Sequence, residues 1–221
     1  AWYREQVYLP EAICNYLALL GWSPGDDREN VTMAELCELF TVDKVHSSPA
    51  RFDMKKLEAI NGDKIRALTL DEFLKWSLPF LTKTGVITGS DAEIALVKQA
   101  LPLIQERIVK LDEVPAMLRF LFVKDFAVEE ASLSKVTDSA SKDVLKRTLA
   151  ELTPLTTWNH DSIEAALRAS LIEEMGLKPR IAFGAVRIAT TGSTISPPLF
   201  ESMELLGKDA SLARIAAAID L

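Results

Sequence analysis

Between Met175 and Phe200 the sequence MGLKPRIAFGAVRIATTGSTISPPLF contains neither Asp nor Glu. The protein around it is acidic, with a formal net charge of −7 over 221 residues. Glu173 and Glu174 close the run on one side and Glu201 on the other. Inside stand Lys178, Arg180 and Arg187, with hydroxyls at Thr190, Thr191, Ser193, Thr194 and Ser196. Lys and Arg attract phosphates, and a nearby carboxylate would cancel that attraction. Local removal of acid is therefore how an acidic protein opens a surface to a polyanion. The same run also reads as a plain surface loop leading into a final helix.

Three places in the chain could put such chemistry to use. Arg187 sits among apolar neighbours, AVRIA, so its stem is expected partly buried with the guanidinium projecting. A planar guanidinium suits a base edge or a phosphate, and the alternative, a buried ion pair, lacks a local acid between 175 and 200. Ser196-Pro197-Pro198-Leu199-Phe200 reads as a stiff turn presenting Ser196 and Leu199 before a helix that begins near Pro198. Arg107, near the end of LPLIQERIVKL, faces either solvent or a groove, with Glu106 or Glu113 as ordinary ion-pair partners. The remaining carboxylates lie at spacings of three or four from Lys and Arg, as in Glu106 and Lys110, which is how solvated helices are laced. There is no Gly-rich phosphate cradle, no Cys-His pair at ligand spacing and no nucleophile elbow. The chain reads as a binding module.

The elements that must position these groups are helical. LPEAICNYLALLGW places Ala12, Ile13, Tyr16, Leu17 and Leu20 on one face, with Pro10 in the first turn and a stop at Gly21. TMAELCELF begins with a capping box, Thr32 and Glu35, and is expected to bury Met33, Leu36 and Phe40. DMKKLEAINGDKIRAL reads as a helix broken in two at Asn61-Gly62. TLDEFLKWSLPFL has a second capping box, Thr69 and Glu72. A long helix starts at the Ser90 cap and is perturbed by Pro102, with a short one after Pro115. SKDVLKRTLAELT, SIEAALRASLIEEMG, LFESMELLG and SLARIAAAIDL complete the set, and VRIAT is the best strand candidate. The expected fold class is all-α. Trp2, Trp22, Trp76, Trp158, Phe73 and Phe80 fit core spacing better than base-stacking platforms.

Composition narrows the class further. A hydrophobic fraction of 48% with 26% charged residues belongs to a globular chain and excludes intrinsic disorder. No apolar run approaches the ~20 residues needed to span a bilayer, and AWYREQ is no signal peptide. The missing initiator Met suggests a piece of a longer chain. Cys14 and Cys37 are too few and too far apart for a zinc site, and both sit in apolar helical strings. They read as buried free thiols in a reducing compartment, which here means the cytoplasm. His46 and His160 lie in polar, loop-like sequence without a partner base. Three units are expected: residues 1–69, 70–125 and 126–221.

Several strings together resemble the C-terminal half of bacterial glutamyl-tRNA synthetases: YLPEAICNYLALLGWS, VHSSPARFDMKKLEAINGDKIR and TTGSTISPPLFESMELLGKDASLARI, in the family's order along essentially the whole chain. The resemblance implies a helical stem-contact region at 1–69 followed by a two-part α-helical cage for the anticodon, at 70–125 and 126–221. It places Arg107 at the third anticodon base and Arg187 at the first. Ser196 falls where the family has a Thr contacting the middle uracil, and Leu199 where a Leu packs on the anticodon. The family's catalytic Rossmann domain uses ATP and Mg, but its HIGH and KMSKS motifs are absent from this sequence. The fragment is therefore expected to have no cofactor and no activity of its own. Its expected partner is tRNA(Glu), with no DNA and no membrane, and its expected state is monomeric. The competing class is a helical protein-interaction module, in which the same Arg and Ser/Thr residues are structural.

Overall fold

The computed structural model describes residues 8–46 and 51–221. Trp2 lies outside the described residues. Among them every regular element is helical: thirteen α-helices, short 3-10 segments at Val42–Lys44 and Arg119–Leu121, and a π-helical segment at Arg168–Glu174, with no strand. The all-α reading holds. No helix of the described residues is long and apolar enough to cross a membrane. The chain forms two compact units, Ala1–Gly85 with Ile104–Ala116, and Val86–Leu103 with Met117–Leu221.

In the first unit, α1 (Pro10–Leu19) begins at a proline, and α2 (Met33–Leu39), α3 (Met54–Ala67) and α4 (Leu70–Lys83) begin where their caps dictate. Thr32 accepts from the Glu35 N–H at 3.2 Å while Glu35 accepts from the Thr32 N–H at 2.8 Å, and Thr69 with Glu72 repeats the arrangement. Asn61-Gly62 does not break α3. The buried Asn61 side chain accepts the Leu9 N–H at 2.8 Å and donates to the Val109 carbonyl at 2.5 Å. Gly62 lets Val109 come close, since a Cβ there would stand 3.1 Å from the valine's Cγ1. Tertiary pairing has overridden a local turn signal.

The two thiols are a correction. Cys14 and Cys37 are exposed, and with Leu17, Met33 and Phe40, also exposed, they line an apolar groove of about 560 Å³. α2 is seven residues long and buries Leu36 alone, so neighbouring apolar positions stay in contact with solvent. Trp22 and Phe73 are core residues as expected, whereas Trp76 is exposed.

The chain continues through α5 (Asp91–Ala100), α6 (Pro102–Gln105) and α7 (Glu113–Leu118). α5 carries the Ser90 cap as a third capping box, with Glu93. The expected long helix ends at Ala100 because Pro102 cannot continue the hydrogen-bond ladder. The second unit is then built from α8 (Glu130–Thr137), α9 (Ser139–Leu152), α10 (His160–Leu167), α11 (Pro179–Thr191), α12 (Leu199–Leu206) and α13 (Lys208–Ile219). α11 is its centre and packs on α8, α9, α12 and α13. Its alanines 182, 185 and 189 are buried, which lets helices approach closely, and they join Leu145, Leu152, Leu199, Met203 and Ile215 in one core. VRIAT is therefore helix, not strand, and the acid-free run is mostly helix, not loop.

Candidate functional site

α11 has its boundaries written in sequence. Pro179 occupies the first turn, and Gly192 stops the helix with φ of +85°. A Cβ at Gly192 would stand 3.1 Å from the Ala127 carbonyl, and the Gly192 carbonyl accepts the Glu129 N–H at 2.9 Å. The chain therefore reverses tightly after α11 and returns Ser196 and Pro197 to the flank of Arg187.

That return fixes the arginine. Arg187 Nη1 donates to Ser196 Oγ at 2.6 Å and to the Pro197 carbonyl at 2.8 Å, and Ser196 Oγ itself donates to the Pro197 carbonyl at 2.9 Å. Arg187 is half-buried and Ser196 is buried. The guanidinium is thus held by a hydroxyl and a carbonyl of the returning chain. Planarity and two fixed bonds leave the remaining N–H groups with a defined direction.

Beside Arg187 lies a groove of about 510 Å³ that Lys135, Arg180, Phe183, Gly184 and Thr194 help to line, with no acidic residue on its walls. Lys135 comes from α8 and the others from α11 and the turn that follows it. Lys135, Phe183 and Gly184 escaped the sequence reading. The signal that finds two of them is helical spacing from Arg187, at minus four and minus three, which is invisible while the segment is taken for a loop or strand.

Two hydroxyls of the run are not available. Thr190 and Thr191 are buried and donate to the Val186 and Arg187 carbonyls, each at 2.8 Å. Leu199 is 3% exposed and belongs to the core, so the base-packing face expected of it is not on the surface. Beneath the site, Arg214 of α13 donates to the Thr190 carbonyl at 2.7 Å and the Phe120 carbonyl at 2.9 Å, and stacks 3.8 Å from the Phe126 ring centroid. Burial pulls its pKa down to about 10, and the guanidinium still carries its charge at neutral pH. It ties off the C-terminal end of α11.

Arg107 belongs to the other unit and stands on a different footing. It lies on an exposed turn after α6, between the buried Ile104 and Ile108. Among the described residues only its backbone is engaged, the N–H donating to the Ile104 carbonyl at 2.9 Å. The turn is firm: Gln105 Nε2 donates to the Ile65 and Leu68 carbonyls at 2.9 Å each. Glu113, one expected partner of Arg107, instead accepts the Val109 and Lys110 N–H groups at 3.0 and 2.8 Å. No cluster of His, Cys, Asp and Glu among the described residues could hold a metal ion. His160 is not a loop residue but opens α10, where its Nδ1 lies 2.7 Å from Glu204 Oε2.

A family model described as the anticodon binding domain matches residues 70–219, well over half the chain. The chain belongs to this family. A second model, the catalytic domain of class I tRNA synthetases (E and Q), matches residues 1–59. The glutamate–tRNA ligase of Saccharopolyspora erythraea is 46% identical over 220 residues, covering 98% of this chain and 44% of the relative. That of a Nocardioides species is 48% identical over 221 residues, covering 98% and 45%. The chain thus spans less than half the length of these curated relatives. Among solved structures, a glutamate tRNA ligase from Elizabethkingia meningosepticum, crystallised in complex with its amino acid, superposes with a TM-score of 0.80 at 26% identity, covering 99% of this chain and 42% of that one.

Proposed function

We propose that this member of the anticodon-binding family is the tRNA-reading part of a glutamate–tRNA ligase, and that its partner is the anticodon of tRNA(Glu). The observation that carries the reading is Arg187: a guanidinium oriented by Ser196 and Pro197, on the wall of a groove free of carboxylates, inside the segment that the family matches. Unstacked bases are recognised by hydrogen bonds to their edges, and a fixed guanidinium supplies donors where a base carbonyl or ring nitrogen accepts them. In this reading Arg187 takes the first anticodon base. Ser196 acts on the middle base and also holds Arg187. Arg107 takes the third, favouring cytosine, whose carbonyl accepts from guanidinium, over guanine. Leu199 supports the start of α12 from the core.

The division at 69/70 and 125/126 is kept as the functional one, a stem-contact part followed by two anticodon-binding parts. Ligation of glutamate with ATP and Mg is assigned to the longer protein. A cytoplasmic, monomeric protein is the setting that accords with this reading. The net charge of −7 is compatible with RNA binding, because the local absence of acid outweighs the global sum at groove distance, but binding will weaken steeply with salt.

Titration of tRNA(Glu) into this chain at low salt tests the reading. Saturable binding that drops with Arg187→Ala and with Arg107→Ala supports it. Equal, negligible affinity for every tRNA overturns it. In the full-length enzyme, Arg107→Gln should raise charging of glutamine tRNA relative to glutamate tRNA; an unchanged ratio at intact activity removes the role given to Arg107.

A further inference from the structure

Of the nine glycines in this chain, six have a positive φ, and a Cβ on Gly21 or Gly62 would meet other atoms of the protein at 3.1–3.4 Å. Gly184 has neither reason to be glycine. It lies in the middle of α11, and a Cβ there would meet nothing within 4 Å. Glycine is the poorest helix former after proline, because it gives up the most backbone freedom and adds no side-chain contact. An alanine at this position would suit the isolated protein better. The space it leaves open is available to a group outside the chain.

The surroundings say what that is. Gly184 lies on the floor of the groove beside Arg187, with Arg180 four residues before it and Arg187 three after it, on one face of the helix. Lys135 faces them from α8. Lys135 and Arg180 are exposed, and neither has an ion-pair partner among the described residues. A bare stretch of helix backbone flanked by cations admits a flat group against its floor and anionic groups at its rim. A nucleotide has that combination.

We propose that the groove over Gly184 is a single-nucleotide subsite: a base or ribose of unstacked RNA lies against the α11 backbone at Gly184, and its flanking phosphates are held by Lys135 and Arg180. This inference rests on the RNA-binding reading of Arg187 and adds three residues to it. Lys135 and Arg180 supply affinity without sequence preference, as phosphate contacts do, while the absence of a side chain at 184 sets how deeply the nucleotide enters.

The test uses the 221-residue chain, transcribed tRNA(Glu) as probe, and two readouts that a structural role would move together. Gly184→Ala should raise the thermal midpoint by roughly 1–4 °C, because it improves the helix. It should also weaken tRNA binding at least fivefold, and Gly184→Leu should weaken it further. Lys135→Ala with Arg180→Ala should flatten the dependence of log affinity on log salt by about 0.7 for each contact removed. If both Gly184 variants bind as wild type while Arg187→Ala loses binding, the anticodon reading stands and this subsite falls. A destabilising Gly184→Ala also overturns it, since the position would then not be empty. If wild type gives no saturable binding, both readings fall together.

Discussion

Arg187 and Arg107 bring the same side chain into surroundings built on opposite lines. Arg187 emerges from the middle of a thirteen-residue helix, and two hydrogen bonds that it donates to the returning chain fix its guanidinium. Arg107 sits on a turn whose backbone is pinned on both sides, by Gln105 to the end of α3 and by Glu113 to the start of α7, while its side chain stays in solvent. One site orders the reading group and the other orders only its base. Immobilising a rotamer-rich side chain on binding costs about 0.5–1.5 kcal/mol. That cost is already met at Arg187 and still due at Arg107. Arg187 should therefore contribute more to affinity, and Arg107 should show its value mainly as a difference between third bases.

The largest effect should come from the core under the Arg187 site. Leu199 is buried with Met203 and Ile215, so Leu199→Ala is expected to cost about 2–5 kcal/mol in urea unfolding. Arg107→Ala, on an exposed turn, should stay within about 0.5 kcal/mol of wild type. Where Leu199→Ala remains folded, its tRNA affinity should change less than that of Arg187→Ala. An opposite result, with little loss of stability and a large loss of binding, would return Leu199 to the role of a base contact and break the contrast between an ordered, core-backed site and a surface one.

Next in size is the exchange of guanidinium for ammonium. Arg187→Lys keeps the charge but cannot span Ser196 and Pro197 while also presenting a planar edge. A loss of at least tenfold in tRNA(Glu) affinity, ~1.4 kcal/mol, is expected by fluorescence titration. Arg107→Lys should cost less than threefold in affinity and show itself in the charging ratio of the two tRNAs. Equal losses at both positions would mean that the hydrogen bonds to Ser196 and Pro197 confer no advantage.

What the sequence disclosed of this contrast follows a physical line. Local signals were legible: Thr32, Thr69 and Ser90 each cap a helix through an acid three residues on, and such bonds need no knowledge of the rest of the chain. The acid-free run that holds Arg187 was legible too, because it is a property of composition. Signals that depend on what packs alongside were not. Asn61-Gly62 looks like a turn until Leu9 and Val109 supply partners for the amide, and Cys37 looks buried until α2 proves to cover only Leu36. The pairing of Arg187 with Ser196 lies between these cases. The positive φ of Gly192 reverses the chain, and an α11 read as helix up to that glycine would have returned Ser196 to Arg187. The resemblance assigned both residues to bases without showing that one holds the other.

The smallest effect concerns a tie behind the ordered site, where α12 leads away from Ser196 and meets the start of α10. Glu204 accepts the His160 N–H at 2.8 Å and faces its Nδ1 at 2.7 Å. The hydrogen bond to the Glu204 carboxylate is the main cause that raises the His160 pKa above its ordinary value, and His160 in turn holds Glu204 below the usual carboxylate range. The histidine's contribution is fully present below its unfolded pKa, near 6.5, and is lost as pH rises through its higher folded value. The glutamate's contribution is present above about 4.5 and is lost as pH falls through its lower folded value. The pair therefore stabilises most in the mildly acidic range between them. The thermal midpoints of wild type and His160→Gln should differ most near about pH 6 and converge toward about pH 8. Both groups are solvated, so the difference will be small. An equal gap at both pH values would make this tie a neutral hydrogen bond.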